Sequence, residues 1–279
     1  MPPLASIDIG SNTLRLLVGM IEGQKIVRMR CEMVITRLAA GIGETGLLNA
    51  DNMEKTVSVL KAFSDIISAY GISHIRAVGT SALREAKNSE EFIKTVFSET
   101  GIEIEVISGE KEADLTAKGV LFDLPKNSSS LIIDIGGGSA EWIFCQNSFP
   151  VEMGTIPTGV VKLFDNCIKS DPPSKSDIAS LKKELDTVLS GLKTKIGHLI
   201  NSRAVFIGTA GTITTLASID IGLESYDHEK IHRHNISLEK LYDISGRLIS
   251  IPLSERKKMI GLEPERADLI IPGILFTIN

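Results

Sequence analysis

The chain has 279 residues, 43% of them hydrophobic and 23% charged, with a formal net charge of −5. Such a chain builds a sizeable core, has room for two domains and is not a disordered tail. The acidic balance argues against a dedicated nucleic-acid binder, which would carry a basic stripe, yet a polyanionic ligand stays compatible because backbone amides and metal ions supply local positive field.

Strand-like segments open the sequence at 4–10, 14–21 and 24–35, and the short gap between the first two predicts a hairpin turning at Ser11-Asn12. Residues 50–70 carry Met53, Val57, Leu60, Phe63, Ile66 and Ile67 at helical spacing. The stretch ISHIRAVGTSALREA (72–86) reads as a strand, a glycine turn and a helix. A helix follows over 89–99, then a strand over 102–107 and a further helix from near Gly109. After the polar run PKNSSS (125–130) the pattern restarts. LIIDIGGGSAEWIF (131–144) matches the opening hairpin, and RAVFIGTAGTITTLAS (203–218) matches 74–86. Asp8 and Asp134, and Gly79 and Gly208, recur in the same order at nearly the same offset, so one α/β unit is used twice. The expected domains are 1–124 and 125–279. SDPPSKSD (170–177) precedes a helix over Ile178 to Ile196 that Ser174 or Ser176 would cap, and two more helices fit 237–250 and 264–278.

Cys31, Cys145 and Cys167 are scattered singletons, read as buried or inert thiols in a reducing compartment. The N-terminus lacks the basic and apolar regions of a signal peptide, and no uncharged apolar run approaches the roughly 20 residues of a membrane span. The cytoplasm is the expected location.

Three glycines in a strand context forfeit packing and are entropically costly. IDIGSNTLRLL (7–17) and IDIGGGSAEWI (133–143) match neither a Walker A loop nor a dinucleotide fingerprint. In such tight turns, successive backbone N–H groups can converge on phosphate oxygens. The neighbouring acids would repel phosphate unless a divalent cation intervened, and Mg²⁺ suits one or two carboxylates with a phosphate oxygen. Ile219-Asp220-Ile221-Gly222 repeats the tetrapeptide in helix-like surroundings and lacks this meaning. GTAGT (208–212) ends a strand and opens a helix, an arrangement that binds anions. Glu110 and Glu112 lie roughly 200° apart on a helix, so only one can face a given site, and spacing does not choose between them. HEKIH (228–232) satisfies the zinc-protease pattern HExxH. Its flanks are polar and poorly periodic, and Asn235 and Leu238 stand where the longer motif needs Gly and His, so a metalloprotease is excluded.

DIGSNTLRL, GTSALREAKN, ISGEKEADLTAKGV, IIDIGGGSAE, FIGTAGTITTLA and PERADLIIPG occur in that order. Together they resemble the exopolyphosphatase / guanosine pentaphosphate phosphohydrolase family, within the actin-like ATPase superfamily. The resemblance spans residues 4–275. It implies an α/β fold of two actin-like (ribonuclease H-like) domains facing each other across a cleft. It further implies Mg²⁺-dependent hydrolysis of the terminal phosphoanhydride of inorganic polyphosphate. By this resemblance Glu112 activates water and Glu141 is a further catalytic residue; Arg84, whose guanidinium fork can hold a phosphate oxygen by two hydrogen bonds, is expected to stabilise charge on the transferred group. Asp134, Glu141 and Asp8 hold the metal. Phosphate contacts fall to Gly10, Ser11, Asn12, Thr13 and Arg15, to Gly136, Gly137, Gly138 and Ser139, to Gly208, Thr209, Gly211 and Thr212, and to Arg266. The expected partners are inorganic polyphosphate and guanosine penta- or tetraphosphate, with a homodimer as candidate assembly and neither nucleic acid nor membrane involved. A guanosine pentaphosphate phosphohydrolase, a phosphate-transferring kinase and a non-catalytic sensor of polyphosphate or guanosine tetraphosphate are the competing readings. Family members usually continue beyond PGILFTIN with a segment that completes the second domain.

Overall fold

A computed structural model describes residues 2–23, 25–122, 129–200 and 204–279. The chain divides into two compact units, Met1–Glu112 and Ala113–Asn279.

In the first unit, strands β1 (Leu4–Ile9), β2 (Thr13–Glu22) and β3 (Lys25–Ile35) form an antiparallel meander. Helices α1 (Ile42–Thr45) and α2 (Ala50–Ala69) follow, then β4 (Ile75–Gly79), α3 (Ser81–Glu85), α4 (Ser89–Thr100) and β5 (Ile104–Val106). The sheet order is β3-β2-β1-β4-β5, with β4 parallel to β1 and β5 parallel to β4. A mixed α/β unit of this kind is the fold class the resemblance implies. The helical spacing in α2 buries Val57, Leu60, Phe63 and Ile67 against Ile7, Ile9, Leu14 and Leu16 of the sheet. Asn49 caps the helix, its side chain accepting from the Asp51 and Asn52 N–H groups.

Helix α5 (Gly109–Leu121) starts in the first unit and continues into the second. The boundary expected at 124/125 lies outside the described residues, and the units part earlier, within α5. The cause is packing. Ala113 and Ala117 are small enough to lie directly on Ile132, Ile143 and Cys145 of the second sheet. That sheet contains β6 (Ser130–Ile135), β7 (Ala140–Gln146), β8 (Phe149–Ile156) and, after α6 (Val160–Cys167) and α7 (Lys175–Ile196), β9 (Val205–Thr209). Its order is β8-β7-β6-β9, with β9 parallel to β6. On the opposite face, Trp142 and Phe144 pack with Leu181, Leu185, Leu216 and Ile270.

Ser174, rather than Ser176, caps α7, in a reciprocal capping box with Asp177. Helices α8 (Ala210–Ile221), α9 (His228–Ile231), α10 (Leu238–Ser250), α11 (Leu253–Arg256) and α12 (Ile270–Ile278) complete the second unit. The helix expected over 264–278 is broken: a 3₁₀ turn covers Pro264–Arg266 and α12 begins only at Ile270. Pro272 explains the break. It lacks an N–H, and its ring would collide with the carbonyl four residues back in a continuous helix. The third occurrence of that tetrapeptide, Ile219-Asp220-Ile221-Gly222, is the end of α8, with Gly222 as a left-handed C-cap. Cys145 and Cys167 are buried, whereas Cys31 is a free, exposed thiol on β3. No helix among the described residues is long and apolar enough to cross a membrane.

Candidate active site

Both hairpins carry the same turn. In the first, Gly10 N–H donates to Thr13 O at 3.1 Å; in the second, Gly136 N–H donates to Ser139 O at 3.0 Å. A Cβ on Gly10 would stand 3.0 Å from Thr13 O, and one on Gly136 would stand 2.8 Å from Ser139 O. A side chain at Gly136 would force the turn to shift, and one at Gly10 would crowd it.

The segment leaving the third strand of each meander then ties the turn down. Thr36 and Arg37 N–H groups both donate to Asn12 O, and Ala39 N–H donates to Ser11 O. In the second unit, Val160 N–H donates to Gly136 O at 3.0 Å and Val161 N–H to Gly137 O at 2.9 Å. Each peptide is planar and trans, so its N–H points away from its C=O. Fixing the carbonyls of Ser11, Asn12, Gly136 and Gly137 therefore turns the N–H groups of Asn12, Thr13, Gly137 and Gly138 to the other side. An array of such amides is a nest for anionic oxygens. Asn12 Oδ1 is also buried with no hydrogen-bond partner. The sequence showed the turns but not their ties. Gly159, the N-cap of α6, has an ordinary extended backbone, and nothing local marks it as special.

The acids stand in register one step below each turn. Asp134 pairs with Glu141 across β6 and β7, while Glu141 pairs with Thr155 of β8 and Asp134 with Thr209 of β9. Directly opposed residues project to one face, about 5 Å apart at Cβ. Thr155, Glu141, Asp134 and Thr209 thus form one polar row, on the face that Ile132 and Ile143 share with α5. Glu141 is 1% exposed and accepts from Ser139 Oγ at 2.9 Å. Thr155 Oγ1 is buried without a hydrogen-bond partner. Among the described residues no cluster of three or more His, Cys, Asp or Glu forms a preassembled cation site. Two adjacent carboxylates beside an amide nest nonetheless fit Mg²⁺, a hard cation that takes few protein carboxylates and completes its shell with water and phosphate oxygens.

In the first unit the matching row differs. Asp8 pairs in register with Arg15, not with a second acid, and with Val78 of β4. Arg15 Nη1 lies 3.6 Å from Asp8 Oδ2. Asp8 keeps 43% of its side chain accessible, yet surrounding protein desolvates it enough to raise its pKa above the ordinary 3.8, with Arg15 opposing the shift. Equating Gly79 with Gly208, β9 has slid two residues along β6 relative to β4 on β1. A two-residue slip keeps every side chain on its face and brings a threonine beside the second-unit acid.

Glu112 lies in the first turn of α5. Ser108 starts this helix, its Oγ accepting from Lys111 N–H at 3.2 Å. Glu110 is exposed and Glu112 half-buried. Arg84, on α3, donates from Nη1 to Glu112 Oε2 at 2.7 Å and to Ile107 O at 2.9 Å. The two expected catalytic residues are therefore hydrogen-bonded to each other, and this arginine orients the carboxylate.

At the β9–α8 junction, Ala210 adopts φ 66°, a left-handed backbone that costs a residue with a Cβ about 1 kcal/mol or more. A Cβ on Gly211 would stand 2.1 Å from Arg266 Nη1. Arg266 thus lies directly on the first turn of α8, where it also pairs with Glu263. Neither this contact with the GTAGT turn nor the burial of Arg266 was legible in the sequence. Thr212 is buried and packs against Gly273 of α12. In HEKIH, α9 is a single turn and His228 stacks on His232, ring centroids 5.5 Å apart.

A family model described as the Ppx/GppA phosphatase family matches residues 17–279. A bifunctional 3-dehydroquinate synthase/phosphatase of Fusobacterium nucleatum is 32% identical over 280 residues, which are 97% of this chain but 42% of that protein. Exopolyphosphatase 2 of Mycobacterium tuberculosis is 26% identical over 287 residues, 98% of this chain and 88% of that one. A solved Ppx/GppA family member from Aquifex aeolicus is 32% identical with a TM-score of 0.81, covering 99% of this chain and 88% of that one. An exopolyphosphatase from Cytophaga hutchinsonii is 28% identical with a TM-score of 0.87, over 99% of this chain and 88% of that one.

Proposed function

The chain belongs to the Ppx/GppA phosphatase family, and on that premise we propose that it hydrolyses the terminal phosphoanhydride of inorganic polyphosphate with Mg²⁺ as cofactor. The observation that carries the reading is the pair of hairpin turns whose carbonyls are tied back and whose amides are turned outward beside a carboxylate. Bare amides of this kind suit phosphate oxygens of any chain length, because they bind the repeating unit and not a particular end group.

The roles follow from the chemistry of each group. The amides of Asn12, Thr13, Gly137 and Gly138 bind non-bridging phosphate oxygens. Asp134 and Glu141 would hold Mg²⁺, which supplies charge neutralisation at the phosphates when bound. Ser139, donating to Glu141 Oε1, helps to fix the orientation of that carboxylate. Glu112 accepts a proton from water as the water oxygen bonds to the terminal phosphorus; the bridging P–O bond breaks, and the shortened chain leaves with the electron pair. Arg84 holds Glu112 in one rotamer, which reduces the entropic cost of aligning the base.

Glu112→Gln keeps the acceptor that Arg84 uses and removes the base. Phosphate release from polyphosphate with Mg²⁺ should fall by roughly 10²–10⁴-fold, while polyphosphate binding measured by calorimetry stays within a few-fold. Turnover near the parent rate in that variant would remove Glu112 from the mechanism. Parallel assays on polyphosphate and guanosine pentaphosphate decide which substrate the site prefers.

A further inference from the structure

The first hairpin keeps two polar atoms that its fold does not use. Asn12 Oδ1 and Thr36 Oγ1 are both buried, and neither has a hydrogen-bond partner among the described residues. Asn12 is 9% exposed and Thr36 0%. Folded chains pair nearly all such atoms, because an orphaned polar group gives up its water for nothing, so each exception calls for a reason. Here the two exceptions are neighbours. Thr36 N–H donates to Asn12 O at 3.1 Å, which joins the residues through their main chains.

Asn12 also marks a difference between the two turns. Gly10 N–H donates to Thr13 O and Gly136 N–H to Ser139 O, which equates Asn12 with Gly138. The second nest is bare backbone at this step, whereas the first carries a side chain with a donor end and an acceptor end. Beside an anion that distinction matters. A carboxamide that turns its NH₂ toward phosphate adds donors to the nest, and one that turns its oxygen there repels the ligand. The two ends are nearly equal in size, so shape does not choose between them.

Thr36 makes the choice by chemistry. A hydroxyl donates as well as accepts, whereas Oδ1 only accepts, so the one bond open to these two atoms runs from Thr36 Oγ1 to Asn12 Oδ1. Thr36 stands on the side to which Asn12 points its carbonyl, and the N–H groups of the nest point the other way. Holding Oδ1 on the carbonyl side leaves Nδ2 for the nest side.

We propose that Thr36 is a positioning residue for phosphate binding: with an anionic oxygen in the first nest, its hydroxyl donates to Asn12 Oδ1 and thereby presents Asn12 Nδ2 to the anion. This rests on the reading of the hairpin turns as phosphate sites. In the structure the two atoms are not bonded to each other, so it is the anion that would draw Asn12 into this orientation, and satisfying both orphaned atoms then contributes to binding.

Polyphosphate binding reads this without turnover, in chains that carry Glu112→Gln and are supplied with Mg²⁺. Adding Thr36→Val, which keeps the branched shape and removes the hydroxyl, should raise the Kd measured by calorimetry roughly tenfold. Thr36→Ser keeps the donor and should bind within about twofold of the Glu112→Gln chain. Because Thr36 acts through Asn12, Thr36→Val added to Asn12→Ala should weaken binding no further than Asn12→Ala alone. Without polyphosphate, the urea midpoint of Thr36→Val should match or exceed that of the Glu112→Gln chain, since the deleted hydroxyl made no hydrogen bond. A Kd that either Thr36→Val or Asn12→Ala leaves unchanged, a Thr36→Val loss that persists when residue 12 is already alanine, or a lowered midpoint overturns this inference and leaves the functional reading standing. A Glu112→Gln chain that binds no polyphosphate overturns that reading, and the inference falls with it.

Discussion

Gly159→Ala tests whether the second amide nest is built as described. The backbone of Gly159 is extended (φ −123°, ψ −175°), so alanine carries no conformational penalty there and any effect is steric. The new Cβ would stand 2.4 Å from Gly137 O and 2.5 Å from Gly136 O, both backbone atoms that no rotamer change can move. Restoring an ordinary contact demands that the start of α6 retreat by about 1 Å, which takes the Val160 and Val161 hydrogen bonds, now 3.0 and 2.9 Å, beyond useful length. Two net hydrogen bonds at about 1 kcal/mol each, with the carbonyls left partly unsatisfied, give a loss of about 2–4 kcal/mol. Urea unfolding should show a lower midpoint at unchanged slope. Below that transition, phosphate release should still fall, because loosened Gly136 and Gly137 carbonyls let the neighbouring amides swing out of alignment. An unchanged midpoint together with parent-level turnover would mean that the contact between α6 and the glycine turn positions nothing.

Two further outcomes follow from single features. Ala210→Gly removes the left-handed strain at the head of α8, about 1 kcal/mol, against a similar entropic cost for glycine. The unfolding midpoint should stay level or rise, and a loss of about 1 kcal/mol, as in an ordinary helical Ala→Gly exchange, would refute the strain. Asp177 accepts from Ser170 Oγ, Ser174 N–H and other donors, which depress its pKa from 3.8 to about 2. A depressed carboxylate stabilises the fold above its unfolded pKa and loses that contribution as pH falls through the folded value. The stability difference between the parent chain and Asp177→Asn should therefore be constant above about pH 5 and shrink as pH falls from about 4 to 2. A difference that does not change across that window would show that the capping charge is not coupled to folding.

Local features were legible in the sequence because local rules control them. The apolar spacing of α2 and α7, a serine cap at 174 or 176 and the glycine turns at Gly10 and Gly136 each depend on residues within one or two turns of chain. The duplication was legible because the two hairpins kept the same acid at the same step. What escaped depends on contacts distant in sequence. Gly159 acts on Gly136 and Gly137 across β7 and β8, and its own dihedrals are unremarkable. Arg84 meets Glu112 across 28 residues. The unit boundary inside α5 was masked because Ala113 and Ala117 look like neutral helix positions until a sheet lies against them.

Under the proposed function, the same comparison assigns the two hairpins different tasks. Each meander puts an acid one step below an amide nest, and each ties that nest with N–H groups arriving after the third strand. The cross-strand partner then sets the character of the pair. Arg15 opposite Asp8 makes a nearly neutral pair suited to steady an anion already held by amides. Glu141 opposite Asp134 makes a doubly acidic pair, which would repel phosphate unless a cation stood between them. The slip of β9 adds Thr209 beside Asp134, where Val78 stands beside Asp8. A divalent requirement should therefore follow the second hairpin. Exchanging Glu141 for Gln should weaken Mg²⁺ dependence and activity together, whereas exchanging Arg15 for Gln should raise the substrate concentration needed while leaving the Mg²⁺ response in place. Phosphate-release titrations in Mg²⁺ and in polyphosphate separate the two, and an identical shift of both curves in both variants would contradict the division of labour between the hairpins.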